Sequence, residues 1–353
     1  MPGGSSHRSS PGSMLPAAPA WRRVLSFFLL PLSIPYGIAA VARRRWWRGR
    51  SIELGVPVIS VGNLTCGGTG KTPTVEMLSR ELVDRGWNPA ILSRGYGAGP
   101  RGGNDEYKVL SENLPSVAHY QGADRVAVGR EAIAAGADIL VLDDGFQHLR
   151  MHRDLDLVLL DALQPFDSGR LLPAGLLREP VGSLAAADLV AVTRTQLVSD
   201  GRRDSIAAFL DERFPGVPVL FIESKPLAWQ ELYGETLDPG FLEGKEVCAF
   251  CGIGNPHSFE LALEKMGIRT AGFRAFRDHQ FYNRSVVEML ASWARDRGVE
   301  TVVMTQKDAV KIERDWLKEQ PGLRWLFLRI EQSIVSGRET WLEALEGLGK
   351  GKD

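Results

Sequence analysis

Gly67-Gly68-Thr69-Gly70-Lys71-Thr72 brings three glycines, a cation and a hydroxyl into six positions. Glycines lack a Cβ, so successive backbone N–H groups can converge on an anion, and the lysine adds a point charge. Thr72 stands where a hydroxyl reaches a phosphate-bound Mg²⁺. The preceding Val58-Ile-Ser-Val61 is β-compatible, and the residues after Lys71 read as a helix whose positive dipole end would face the same anion. Against the pattern G-x-x-x-x-G-K-[ST], the first glycine is Thr65, followed by Cys66. An exposed lysine on an ordinary glycine turn is the bland alternative. Strand, turn, lysine and hydroxyl agree instead on a nucleotide-phosphate cradle over Thr65–Thr72.

A phosphate cradle needs acids and bases around it. The apolar run Ile139–Leu142 ends in Asp143-Asp144-Gly145-Phe146-Gln147-His148. Such a strand delivers carboxylates to the carboxyl edge of a parallel sheet, where the cradle also opens, to hold Mg²⁺ directly or through water. Solvated turn aspartates are the alternative. Arg170 and Arg178 lie in the Pro/Gly-containing stretch 168–180, where an arginine either neutralises phosphoryl charge or pairs with a surface acid; spacing does not choose. Asp278-His279 falls among aromatics and reads as a satisfied histidine or as a base positioned in a cleft.

These groups need elements to position them. After the cradle, 74–86 has apolar residues at 75, 78 and 82 and ends in Gly86, as a helix packed on a sheet does; 89–93 is a strand, and helix–strand alternation continues through 126–142. This is the pattern of a parallel α/β sheet. Alternation lapses near 215–239, where a domain junction is expected, and a second α/β unit starts at Glu246. Gly252-Ile-Gly254-Asn-Pro256 is half a dinucleotide fingerprint without its third glycine and reads as a tight strand-to-helix turn. Cys248-Ala-Phe-Cys251 sits in an apolar strand without a second Cys pair or a His cluster, so these are expected to be core residues rather than a metal or redox site.

The 353 residues carry a net charge of −1, yet residues 1–50 hold eight arginines and no acid, leaving −9 on the remainder. Such asymmetry points the N-terminus at an anionic surface. Residues 1–20, rich in Pro, Gly and Ser, are expected to be disordered. Residues 24–42 form a 19-residue apolar segment bracketed by arginines and interrupted by Pro31 and Pro35. An interfacial kinked hairpin or helix in one leaflet, pinned by tryptophans and anionic lipid, fits best; a bilayer span, a signal peptide and a buried core helix are the alternatives. Nucleic-acid binding is disfavoured because the arginines flank an apolar run instead of lining a groove with aromatics. Three cysteines make no disulfide framework.

Several longer stretches stand in a distinctive order: 61–73 (VGNLTCGGTGKTP), 93–97 (SRGYG), 143–148 (DDGFQH), 153–162 (RDLDLVLLDA), 171–180 (LLPAGLLREP), 252–256 (GIGNP), 278–282 (DHQFY) and 305–310 (TQKDAV). With these the chain resembles the tetraacyldisaccharide 4′-kinases, the lipid A 4′-kinases of the Gram-negative inner membrane. The resemblance implies a P-loop NTPase-like α/β domain, a small β linker, a second smaller α/β domain and an N-terminal membrane-associated segment. Laid on this sequence, that gives a tail over 1–20, an anchor over 21–48, the kinase domain over 49–225, the linker over 226–245, the second domain over 246–335, and a C-terminal helix and tail over 336–353.

The same resemblance implies transfer of the ATP γ-phosphate to the 4′-hydroxyl of a tetraacylated glucosamine disaccharide 1-phosphate. Attachment would be monotopic, on the cytoplasmic face of the inner membrane, with no obligate protein partner. The family's catalytic Asp lies in G-D-E-P; the matching stretch is Gly103-Asn104-Asp105-Glu106-Tyr107, with an inserted Asn and a Tyr in place of Pro. Asp105 is then the expected base, assisted by His279. Lys71 and Arg178 are expected at the phosphates, Thr72, Glu106, Asp143 and Asp144 around Mg²⁺, and Gln147, His148 and Arg125 at the glycolipid. The family's T-E-K-D is Thr305-Gln306-Lys307-Asp308, so any role of its Glu is lost. A membrane-attached NTPase switching a protein partner is the competing reading, though a switch has no use for an Asp–His pair.

Overall fold

The computed structural model describes residues 20–95, 103–232 and 234–349. The tail expected to be disordered lies outside the described residues up to position 19, as does 96–97 of the SRGYG stretch.

Strands β1 (Val58–Asn63), β2 (Pro89–Ser93), β3 (Ala118–Gln121), β4 (Ile139–Asp143), β5 (Leu155–Asp161), β6 (Leu189–Thr193) and β7 (Val219–Glu231) follow one another along the chain. In space they lie β3-β2-β4-β1-β5-β6-β7, all parallel. Strands β1, β2, β4, β5 and β6 are buried along their whole length. Their unbroken apolar runs are what a parallel sheet covered by helices on both faces requires.

The sheet continues into a second lobe. There β9 (Glu246–Cys251), β10 (Arg269–Ala275), β11 (Thr301–Thr305) and β12 (Arg324–Ser336) pair in parallel as β12-β11-β9-β10, after a short β8 (Thr236–Leu237) that folds back on β7. The lobes join where β12 runs antiparallel to β7 over nearly the full length of both strands. Pro226, which reads in sequence as a break, sits within β7 beside a register shift that leaves Leu227 unpaired and exposed. A bulge is where a strand tolerates proline.

Helix α2 (Lys71–Asp84) leaves the glycine loop, and its Leu78 and Leu82 pack into the first lobe's core with Trp341 and Leu345 of the last helix, Arg338–Glu346. In the second lobe, the helix Arg284–Arg295 buries Val287, Leu290, Ala291 and Ala294, an i, i+3, i+4, i+7 stripe. The architecture is thus a P-loop NTPase-like α/β sheet with a second, smaller α/β lobe.

Helix α1 (Ala20–Trp47) is uninterrupted through Pro31 and Pro35. One side is tied to residues 170–179: Ser26 Oγ donates to Ala174 O at 2.6 Å, Tyr36 Oη to Arg178 O at 2.9 Å, and Arg44 binds Glu179 through Nε at 2.8 Å and Nη2 at 3.1 Å. The other side exposes Phe27, Phe28, Leu32, Ile34, Ile38 and Trp46, each more than half accessible. Ser26–Trp47 is long and apolar enough to cross a membrane. Its exposure excludes the buried-core-helix alternative.

Candidate active site

Strand β1 turns into the glycine loop at Leu64, and α2 begins at Lys71 with Gly70 in the left-handed region, φ 86°, a conformation that favours glycine. Three carbonyls of the loop are engaged by side chains. Asn63 Nδ2 donates to Thr65 O at 2.9 Å, Arg194 Nη1 to Gly68 O at 2.7 Å and Thr193 Oγ1 to Thr69 O at 2.8 Å. Lys71 Nζ lies 3.3 Å from Asn63 Oδ1 and 3.4 Å from Asp144 Oδ1. The loop opens into a cleft of about 1180 Å³ between the lobes, lined by Cys66, Gly67, Thr72, Glu106, Arg125, Asp144, Arg178, His279 and Lys307 among others.

Because β4 pairs directly with β1, in the register Val61↔Asp143, the carboxylates emerge one strand away from the glycine loop. Asp144 adopts φ 55°, and its carboxylate takes Arg178 Nη1 at 2.9 and 2.8 Å. Burial alone would raise its pKa, but Lys71 and Arg178 outweigh that and hold it near 2. Asp143 is the opposite case. It is buried, its Oδ1 has no hydrogen-bond partner among the described residues, and burial, with Glu106 adding to it, pushes its carboxyl up to about 7. An orphaned carboxylate oxygen beside Asp144 and the glycine loop fits a cation.

No three His, Cys, Asp or Glu side chains among the described residues form a metal cage. Mg²⁺ needs none, since it keeps waters and takes one or two carboxylates together with substrate phosphates. Arg125 Nη1 donates to Asp144 O at 3.0 Å and Gln147 Nε2 to Asn63 O at 2.9 Å. His148 lies in the same wall, with burial pushing its pKa down to about 4.

The Asp–His pair comes from opposite lobes. Asn104, the residue inserted in the G-D-E-P stretch, is the N-cap of α3 (Asp105–Asn113) and accepts from Tyr107 N at 2.9 Å. Asp105 is therefore the first residue of a helix, where the dipole favours a carboxylate. It is buried, and its two oxygens each lie 3.1 Å from Nδ1 of His279, itself held at φ 58° in a second-lobe loop. Burial opposes ionisation of Asp105, but the His279 hydrogen bond, Lys307 and Lys311 hold its pKa near 2. Lys307 Nζ stands 3.3 Å from Glu106, 3.6 Å from Asp278 and 3.7 Å from Asp105.

Glu106 is thus engaged by a lysine as well as standing near Asp143. Behind them the fully buried Asp308 takes Lys311 at 3.0 Å, Tyr282 Oη at 2.8 Å and Gly252 N at 3.0 Å. The other sequence-derived candidates line the cleft, but Asp105 reaches it only through His279, Thr65 is bridged to Leu177, and Arg170 donates instead to Ser26 Oγ of α1 at 2.7 Å. Sequence reading assigned no role to Lys307, Lys311, Asn63 or Arg194. The signals were Lys307 in TQKD and Asn63 in the 61–73 stretch.

Residues 25–347 match the family model described as tetraacyldisaccharide-1-P 4′-kinase. The chain belongs to this family. It is 37% identical over 345 residues to the tetraacyldisaccharide 4′-kinase of Syntrophus aciditrophicus, covering 89% of this chain and 90% of the relative. It is 38% identical over 342 residues to that of Halorhodospira halophila, covering 90% and 94%. The fold also matches LpxK from Aquifex aeolicus, crystallised as an "apo" form in complex with ATP. That match has a TM-score of 0.71 and 27% identity, and covers 92% of this chain and all of that one.

As a member of a kinase family, the chain is an enzyme. Two motifs outside the phosphate chemistry also resolve. Cys248 and Cys251 are free and buried in separate hydrophobic clusters, and burial pushes the Cys251 thiol up to about 12, the reverse of a redox thiolate. The Gly252–Pro256 turn is a strand-to-helix turn, and it rests on the glycine loop.

Proposed function

We propose that this kinase transfers the γ-phosphate of ATP to the 4′-hydroxyl of a tetraacylated glucosamine disaccharide 1-phosphate at the cytoplasmic membrane surface. The observation that carries the reading is the Asp105–His279 pair, 3.1 Å apart, whose His279 lines the same cleft as the glycine loop and Lys71. Loop amides and Lys71 bind the β- and γ-phosphates, and Arg178 meets the charge of the phosphoryl group in transfer. The sugar hydroxyl gives its proton to the Asp105–His279 pair as its oxygen bonds to the γ-phosphorus, while the bond from that phosphorus to the β–γ bridging oxygen breaks and ADP leaves. Thr72, Glu106, Asp143 and Asp144 would hold Mg²⁺, which supplies charge neutralisation at the phosphates. Gln147, His148 and Arg125 line the wall on the acceptor side.

The exposed apolar face of α1 lies in one leaflet, with the arginines at anionic headgroups, and brings the cleft to a substrate that does not leave the bilayer. Tyr36, Ala39 and Arg43 of α1 line the same cleft, so anchor and reaction site are contiguous.

The test is transfer of label from γ-labelled ATP with Mg²⁺ to the tetraacyldisaccharide 1-phosphate in mixed micelles. Labelled lipid is expected with the native chain, reduced about 10²–10³-fold in Lys71→Ala, the scale of losing one preorganised charge contact. ATP hydrolysis without labelled lipid would overturn the acceptor assignment.

A further inference from the structure

A phosphate cradle works only if its N–H groups point at the anion and its carbonyls do not, so whatever pins the carbonyls outward sets the affinity for ATP. Two of the pins are short-range: Asn63 and Thr193 end β1 and β6, inside the first lobe's sheet. The third is different. Arg194 has φ 59°, an uncommon conformation for a residue with a side chain, and donates to Gly68 O at 2.7 Å and to the Asp161 carboxylate.

Asp161, buried at the end of β5, also accepts from Asn255 Nδ2 at 2.8 Å. Asn255 belongs to the second lobe's Gly252–Pro256 turn. In the same turn Gly254 meets the loop backbone so closely that a Cβ there would overlap Gly68 N.

Resting on the reading of the cleft as an ATP site, we propose that Arg194, Asp161 and Asn255 are positioning residues that make the shape of the phosphate loop depend on the seating of the second lobe. Asp161 receives a donor from each lobe on one buried carboxylate, and through Arg194 that carboxylate is tied to the Gly68 carbonyl. With Asn255 in place, Asp161 and Arg194 are held in one arrangement and Gly68 O is turned away from the phosphates. When the second lobe lifts, Asp161 loses a charge-assisted hydrogen bond, the carboxylate can shift together with the Arg194 guanidinium it holds, and the loop relaxes. ATP affinity and lobe seating are then two sides of one equilibrium. Gly254 follows from the same contact, since only glycine lets the turn reach the loop.

Asn255 is also the N-cap of helix α6 (Pro256–Lys265), so alanine there would remove two functions at once. Asn255→Ser keeps a capping oxygen for Ser258 N but is too short to reach Asp161. Equilibrium binding of a fluorescent ATP analogue to the full chain without lipid is the primary readout, with KM for ATP and for lipid measured alongside. Asn255→Ser and Arg194→Ala should each weaken nucleotide binding about tenfold, the scale of one hydrogen bond to a charged group. KM for ATP should rise similarly while KM for lipid stays within about twofold. The double variant should bind no worse than Arg194→Ala alone, because Asn255 acts through it.

Gly254→Val, which keeps the Asn255 side chain but blocks its approach to Asp161, should reproduce the Asn255→Ser loss. Unchanged nucleotide binding in Asn255→Ser, or losses that multiply in the double variant, would overturn the proposal. The binding readout does not depend on the acceptor. A native chain that binds the analogue but labels no lipid therefore indicts the acceptor reading, and the ordering of the variants still decides this one.

Discussion

The phosphate loop and the Asp105–His279 pair are built on opposite plans. Most of the loop's partners are neighbours in one sheet: Asn63 on the strand that feeds it, Asp144 one strand away, Thr193 two strands away on the other side. The pair joins the first residue of a helix in one lobe to a loop residue 174 positions later in the other, and Lys307 braces it from the same distant lobe. A site held by one sheet is ready before any ligand arrives; a site shared by two lobes is assembled when they close. The difference teaches that the second lobe reaches the loop only indirectly, through Asn255, Asp161 and Arg194, and so tunes nucleotide binding, whereas the base does not exist until the lobes meet.

The sharpest way to break that contrast is Asp105→Ala. Removing the acceptor of the hydroxyl proton should lower kcat about 10³-fold, within the range for general bases, while nucleotide affinity changes less than about threefold. Parallel loss of nucleotide binding would show that the two regions are not separable.

Next in size is the core that rigidifies the first region. Trp341, fully buried against Leu78 and Leu82 beneath α2, should cost about 3–5 kcal/mol on substitution by alanine, read as a lower urea midpoint. A shift below about 1 kcal/mol would mean that the last helix is not part of the loop's foundation.

A smaller effect separates anchor from site. Replacing exposed Phe27, Phe28, Ile34 and Ile38 of α1 together by Gln leaves the contacts to 170–179 intact, so the rate on bilayer substrate should fall about tenfold while the micelle rate holds. Equal rates in both would remove the membrane role.

The subtlest test is pH. Asp105, held near 2, is anionic throughout the working range; its native pKa lies below the unfolded value, so it adds stability above about pH 4 that is lost as pH falls towards 2. The Asp105 hydrogen bond raises His279 above its ordinary 6.5, against burial and Lys307. The pair accepts a proton only when the imidazole is neutral, so kcat/KM for lipid at saturating ATP should rise with pH through a midpoint above 6.5. In His279→Ala that limb should move down into the carboxylate range; a limb that stays put belongs to another group.

The loop, the Asp143-Asp144 strand end and the α/β alternation were legible because each is local. Glycines, β-branched runs and strand-end acids report their own geometry within a few residues. The helix cap at Asn104 was legible only as a departure from a motif, and the structure gives it a reason: the inserted residue caps the helix that starts at Asp105. What sequence did not reveal is long-range. Nothing near Lys307 states that it faces Glu106, 201 positions earlier, and nothing near Asn255 states that it reaches Asp161. The continuity of α1 through two prolines was also hidden, because its support comes from residues 170–179 and not from its own propensity.

The central claim, one base unit made from two lobes, is tested most directly by a double-variant cycle on kcat at saturating ATP and lipid. Asp105→Ala, His279→Ala and the two together are measured as phosphate transfer. The account predicts that the double variant is within about threefold of Asp105→Ala alone, since His279 acts through Asp105. A double variant whose defect equals the product of the single defects would contradict it.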